Sequence, residues 1–378
     1  MMMSDQLLMK YLLNLHAKAL TGNEQDDKAS LIEKLEQKIP PYVATLKDDA
    51  YHFPEYAGEP HSFWYTEWWY FNFFDERNNI AGMLTFAVFN PGNLEHLGVA
   101  SLTAAVVKSG SGETSSPIIE YINLDKFSAS TENANLELAG NRLIVVDKDT
   151  YRVAAKSNDG SVTLDLIYRQ ADEPQYFIRN QHGDYWNVSS WLNYMPSAFV
   201  DGEVSLNGEV FRIEQASGYH DHDWGMWKVY KETWNWAAVS MPQEAITFDV
   251  VFHAAFQKSS SYFRYGDLRL YLPQENFQLT QDGWVEWEHN WKYPTRMTFE
   301  CIDQTGNYKV QVAWRVIDTL VLWKYPLIVF EQTAEFEGGL YERAGDDWKL
   351  VCRLQAKGFC EYTGTWLPQQ LTQFPSAT

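Results

Sequence analysis

Residues 205–213 read SLNGEVFRI. An Asn-Gly pair between two strand-like flanks is the sequence of a two-residue β-hairpin, because both turn positions need a positive φ that Asn and Gly tolerate. The same texture extends outward in both directions. Short segments rich in Val, Ile, Phe and Trp alternate with turn signals at Asn78-Asn79, Asn90-Pro91-Gly92, Gly110-Ser111-Gly112, Asn158-Asp159-Gly160 and Gln281-Asp282-Gly283. VTLDLIY at 162–168 follows one of these turns as the arm of a second hairpin. Many closely spaced strands with polar turns predict antiparallel sheets, closed into barrels or stacked as sandwiches. No strict short repeat is present, which argues against a propeller or solenoid.

Ahead of this β region the pattern changes. Leu8, Tyr11, Leu12, Leu15 and Ala19 recur at helical spacing, and KASLIEKLEQKI at 28–39 is a second amphipathic segment that stops at Pro40-Pro41. The expectation is a helical extension over 1–47, a first barrel over 48–228 and a second over 229–378, each barrel sized for eight to ten strands.

Composition narrows the class. The chain has 378 residues, enough for two domains and a sizeable core. With 30 Lys and Arg against 50 Asp and Glu, its net charge of −20 disfavours nucleic acid and anionic lipid as partners. No apolar run is long enough to span a bilayer. The apolar start resembles a signal peptide, but Asp5 stands where a basic region belongs and Lys10 and His16 interrupt the run, so a soluble, cytoplasmic protein is expected. Three separated cysteines, Cys301, Cys352 and Cys360, argue against a disulfide framework or a thiolate zinc site. Aromatic residues make up 16% of the chain. They suit a β-rich core, a ring-lined cavity, or both.

HSFWYTEWWYFNFFDE at 61–76 puts bulky rings on both faces of one strand, with Glu67 and Trp69 on one side and Trp68 and Tyr70 on the other. Such a strand is buried on both sides, as between a barrel wall and a second domain. A carboxylate within it has to be paired or neutral.

GYHDHDWGMW at 218–227 collects two histidines, two aspartates and two tryptophans. In a strand, His220, His222 and Trp224 share one face, and Asp221 and Asp223 the other. Histidines at i and i+2 can reach one metal, although no third His or Cys cluster of fitting spacing accompanies them. The same residues can instead form a buried hydrogen-bond network, with Gly225 supplying a sharp turn between the barrels.

EWWYF, GYHDHDWG and the terminal GFCEYTGTW at 358–366 together resemble the lipocalin-like family of carotenoid hydratases and AttH-type proteins, whose architecture is shared by tocopherol cyclases and fungal Diels–Alderases. LNYMPSAFVDGEVSLNGEVFRI, WVEWEHNWKYPTRMTFE and FEQTAEFEGG add to the resemblance, in the family's order, over about residues 55 to 367. It implies two consecutive lipocalin-like barrels with a ligand cavity between or within them. It also implies an enzyme that needs no metal or redox cofactor and protonates a C=C bond of a large apolar isoprenoid or polyene, leading to hydration or cyclisation.

His222 and Trp224 match the family's His-x-Trp-Gly motif, and Asp249 in AITFDVVFHAAF falls where the family has its proton donor. A carboxylic acid kept neutral by an apolar pocket suits that role, and indole or phenol rings shield the resulting cation by up to about 2 kcal/mol per contact. Trp69, Tyr70, Glu67, Trp234, Trp236 and Tyr219 are the expected pocket residues. Thr247 replaces the tyrosine that partners the acid in the hydratases, which weakens the case for hydration specifically. Asp249 can equally pair with His253 or a neighbouring Arg. A pericyclic cyclase and a non-catalytic lipid carrier are the alternative functions.

Overall fold

A computed structural model describes residues 44–365, apart from 60, 93–97, 111–116, 183–187, 227–233, 253–259, 264–266, 272–275, 280–282, 290–292, 304 and 325–326. The helices expected before residue 44, and His253, lie outside the described residues. Residues 44–47 belong to the expected helical extension but lead into a turn, and Phe53–Tyr56 forms one short helix, α1. No described helix is long and apolar enough to cross a membrane.

The described chain is nearly all β. The first half contributes β1 (Tyr65–Asp75), β2 (Ile80–Phe89), β3 (Val99–Lys108), β4 (Ile118–Ile122), β5 (Phe127–Ala129) and β6 (Leu136–Leu138). Next come β7 (Asn141–Asp147), β8 (Thr150–Lys156), β9 (Val162–Gln170), β10 (Gln175–His182), β11 (Val188–Leu206) and β12 (Glu209–Met226). These twelve strands form one sheet, ordered β4-β3-β2-β1-β12-β11-β9-β8-β7-β6-β5, with β10 paired to β11. The sheet curls into a nearly closed barrel.

The second half contributes β13 (Asn235–Met241), β14 (Ile246–Phe252), β15 (Ser260–Phe263), β16 (Asp267–Tyr271) and β17 (Asn276–Leu279). It continues with β18 (Gly283–His289), β19 (Pro294–Ile302), β20 (Tyr308–Lys324), β21 (Leu327–Ala344) and β22 (Asp347–Thr365). Their order in the second sheet is β15-β18-β19-β20-β21-β22-β13-β14-β16-β17. The architecture is the expected two-barrel, lipocalin-like one. The first sheet has twelve described strands against the eight to ten expected; β5 and β6 are only three residues each, and β11, 19 residues long, changes partner from β10 at Val188–Asn193 to β9 at Ala198–Leu206.

The opening hairpin joins β11 to β12. Leu206 pairs with Glu209 across a two-residue turn, and both Asn207 (φ 51°) and Gly208 (φ 85°) have the positive φ that this turn demands. Gly225 makes no turn. It lies inside β12 at φ 148°, where a β-carbon would sit 2.1 Å from the carbonyl oxygen of Val188 on β11. The glycine therefore permits close approach of two strands.

Among the described residues the buried side chains form three hydrophobic clusters. Tyr65, Trp69, Phe71 and Phe73 of β1 join the interior of the first barrel, and Phe248, Phe299, Trp314 and Phe336 fill the second. The third cluster is a seam between the outer faces of the two sheets. It holds Tyr70, Phe74, Trp191 and Tyr219 from the first, and Trp236, Ala238, Leu320, Val329 and Phe359 from the second. β1 is thus packed on both faces, as its rings require.

Candidate functional site

β12 is the middle strand of three at the heart of the molecule. Its register with β1 and β11 stacks the named residues into rows across β1, β12 and β11: Trp69·His222·Leu192 and Glu67·Trp224·Ser190 on one face, Trp68·Asp223·Trp191 and Tyr70·Asp221·Asn193 on the other. Because directly paired residues point the same way and neighbours along a strand point oppositely, the histidines enter the first barrel and the aspartates enter the seam.

On the barrel side, the chain ahead of β1 completes the site. Asp49 is wholly buried and accepts hydrogen bonds on Oδ2 from Tyr151 Oη (2.8 Å) and His220 Nε2 (3.1 Å). His220 Nδ1 donates to the carbonyl of Tyr70 at 2.8 Å, and the ring stacks on Phe71 with centroids 3.9 Å apart. Both ring nitrogens of His220 face oxygen acceptors, so each contact needs a proton. His222 Nε2 meets Glu67 Oε1 at 3.0 Å. Its Nδ1 lies 3.2 Å from Asp49 Oδ1, within ion-pair reach but off the hydrogen-bond direction, so neither atom has a hydrogen bond.

Trp69 stacks on His222, and His52 stacks on Trp224 at 4.0 Å. The backbone N–H of His52 donates to Glu67 Oε1, and Tyr65 Oη donates to Glu67 Oε2 at 2.6 Å. Burial alone would push the Asp49 carboxyl up, but His220 and then His222 outweigh it and hold it at about 2. Tyr65 and Tyr151 are raised well above the usual phenol range, chiefly by burial and then by the neighbouring carboxylates. They therefore stay neutral donors.

The seam carries the opposite electrostatics. Asp249 on β14 is fully buried and faces the first sheet. Its Oδ1 accepts from Trp236 Nε1 at 3.0 Å and its Oδ2 from the amide of Asn193. The register of β14 with β16 sets Arg269 opposite it. Asp221 Oδ2 accepts from Tyr219 Oη (2.8 Å) and Trp191 Nε1 (3.0 Å), and Trp68 donates to Asp223. Tyr70 Oη donates to Glu331 at 2.7 Å and Trp234 Nε1 to Glu361 at 2.6 Å.

Five carboxyl groups thus converge between two apolar sheets, held by indoles, phenols and an amide. Burial raises Asp221 to about 7, against the pull of Tyr219, His220 and Trp191. Asp223 is raised well above the carboxylate range by burial, then by the like charges of Asp221 and Glu361.

The residues singled out from sequence therefore fall into two groups. His222, Trp224, Trp69 and Glu67 lie together inside the first barrel, while Asp249, Tyr70, Tyr219, Trp234 and Trp236 lie together in the seam. β12 and β1 stand between them, so the His-x-Trp pair does not touch Asp249. The residues that the sequence reading passed over are Asp49, Asn193, Glu331 and Glu361. Strand alternation places Asp221 and Asp223 on the face opposite the histidines without naming them as site residues. Asp49, in KDDAYH, has no such signal.

A groove of about 570 Å³ lies on the outer face of the second sheet, bordered by Glu76, Arg315, Glu335 and Lys357 among others. None of the residues nominated from sequence line it. A void of about 10 Å³ in the seam is bordered by Asn72, Tyr219, Ser240 and Phe359 and has room for one water at most.

This combination of two β-sheets joined along a buried seam defines a class already represented among solved structures. An AttH-like protein from Nitrosomonas europaea is 13% identical with a TM-score of 0.54, over 86% of this chain and 100% of its own. Kievitone hydratase from Nectria haematococca is 14% identical with a TM-score of 0.52, over 86% of this chain and 97% of its own. CghA, solved with Sch210972, is 11% identical with a TM-score of 0.50, over 86% of this chain and 94% of its own. At these identities the likeness is one of fold. No family model and no curated protein sequence matches the chain.

Proposed function

We propose that the protein is a cofactor-independent hydratase or cyclase that protonates a C=C bond of an apolar, isoprenoid- or polyene-like small molecule in the seam between its two sheets. The observation that carries this reading is the burial of carboxyl groups at a wall of indoles and phenols, with Asp221 and Asp223 raised by that burial. A neutral buried acid can deliver a proton to an alkene, and the surrounding rings and carboxylates stabilise the cation that follows. Kievitone hydratase and CghA, which share the fold, support the reaction class.

The void bordering the seam holds no more than a water, so a substrate bound there parts the two sheets. The interior of the first barrel is filled by packed rings and by residues 44–56, which disfavours carriage of a ligand there. His222 and Trp224 act from that interior by fixing β12, and so the aspartates on its far face.

The test is product analysis by mass spectrometry after incubation with prenylated and polyene small molecules. A gain of one water or a cyclised isomer is expected, and Asp249→Asn, which removes a carboxylate that stabilises the cation, should slow turnover by about 10²–10³-fold. A pericyclic cyclase, the second reading suggested by the Diels–Alderase CghA, would lose only a modest factor in the same variant. Recovery of every compound unchanged would refute both.

A further inference from the structure

Asp249 has a donor on each oxygen, Trp236 on Oδ1 and Asn193 on Oδ2. That is the hydrogen-bonding pattern of a carboxylate ion. Asp221 is arranged differently. Its Oδ2 takes two donors, whereas its Oδ1, buried in the same seam, takes none. The residue paired with it across β11 is Asn193, whose amide nitrogen is committed to Asp249 and whose Oδ1 is also buried without a hydrogen bond. Two acceptors stand in one row, and the missing element is a hydrogen. A proton on Asp221 Oδ1 supplies it.

We propose, building on the seam reading above, that Asp221 is the proton donor of the seam, its proton kept in place by burial and by the like charge of Glu361, and that Asp249 is the anionic partner across the gap. The two roles separate because the surroundings differ. Asp221 faces carboxyl groups from several elements, Asp223 on its own strand, Glu361 on β22 and Asp249 on β14, with Tyr70, Tyr219 and Glu331 nearby and His220 behind it on the barrel side. Burial and Glu361 raise it, and Tyr219, His220 and Trp191 offset them only in part. Asp249 is matched by two N–H donors.

The step balances without a co-reactant other than water. The π electrons of the alkene form a C–H bond with the Asp221 proton, leaving a carbocation on the neighbouring carbon and a carboxylate on Asp221. Asp249 and the ring faces stabilise that cation. Attack by water forms the C–O bond, and the proton it releases returns to Asp221. If a second double bond attacks instead, a ring closes, and loss of a proton to Asp221 completes the isomerisation.

Infrared difference spectroscopy on the full chain locates the proton without any substrate. A protonated-carboxyl C=O band that titrates near neutral pH and shifts in D₂O is expected in the wild type and in Asp249→Asn, and absent in Asp221→Asn. In Glu361→Gln the band should titrate at lower pH, because a like charge has been removed. Asp221→Asn carries an amide N–H in place of that acid hydrogen but cannot release it as an acid, so it should fold at least as stably as wild type while turnover falls at least 100-fold. A band that survives in Asp221→Asn, or disappears in Asp249→Asn, overturns the assignment. Absence of turnover in the wild type would refute the enzymatic reading but leave the spectroscopic result to decide where the proton sits.

Discussion

The two faces of β12 solve the same problem in opposite ways. On the barrel side, His220 and His222 are buried beside Asp49 and Glu67, so the Asp49 carboxylate meets imidazole nitrogens at hydrogen-bond distance. On the seam side, one residue further along in each case, Asp221 and Asp223 are buried beside more carboxyl groups and neutral donors. The first arrangement stabilises charge in a dry interior, and the second stabilises neutrality. Buried polar groups on one strand can therefore be a structural lock and a chemical reserve at once, with the alternation of the strand keeping them apart.

The largest expected effect breaks the barrel side. Asp49→Ala leaves His220 and Tyr151 without their common acceptor and should destabilise the protein by about 3–5 kcal/mol, read from urea unfolding at pH 7. Because the folded Asp49 carboxyl lies near 2, below its ordinary 3.8, its contribution is fully present above about pH 4 and lost as pH falls toward 2. The deficit of the variant should shrink through that window. A wild-type-like midpoint at pH 7 would show that the pair holds nothing.

The seam should respond with the reverse sign. Asp221 is raised to about 7, so between about pH 4 and 7 the folded state binds more protons than the unfolded one and stability falls as pH rises. Asp221→Asn removes that loss. It should match the wild type near pH 4 and exceed it above pH 7, by up to about 4 kcal/mol. Thermal melts of the two proteins across that range would test this, and parallel curves would contradict it. The smallest effect sharpens the barrel side. Tyr65→Phe leaves Glu67 Oε2 without its donor and should cost about 1–3 kcal/mol, read from urea unfolding at pH 7.

The sequence made the architecture legible because hairpin chemistry is local. Asn207-Gly208 has to turn back, and rings on both faces of 65–75 have to be covered on both sides. The alternation of GYHDHDW was legible for the same reason. What the sequence could not reveal was which face met what. Asp249 looked like a lone acid in an apolar strand, yet its two donors come from Trp236, thirteen residues earlier, and from Asn193 in the other sheet. His222 and Trp224 carried the family resemblance, but their partners include Asp49 and His52, which precede every strand and carry no periodic signal. Helical reading of 44–47 failed because that segment is spent on entering the barrel, where Asp49 is needed as a counter-charge.

The turn at Asn207-Gly208 has a consequence for ancestry. Sidedness on β12 is a matter of parity, counted in whole residues from that turn and corrected by the irregularities between β11 and β12. A one-residue slip of β12 against β1 and β11 would exchange the imidazoles and the carboxyls, sending acids against Asp49 and bases into the seam. Length changes along this hairpin are thus tolerated in odd steps only where a bulge takes up the extra residue.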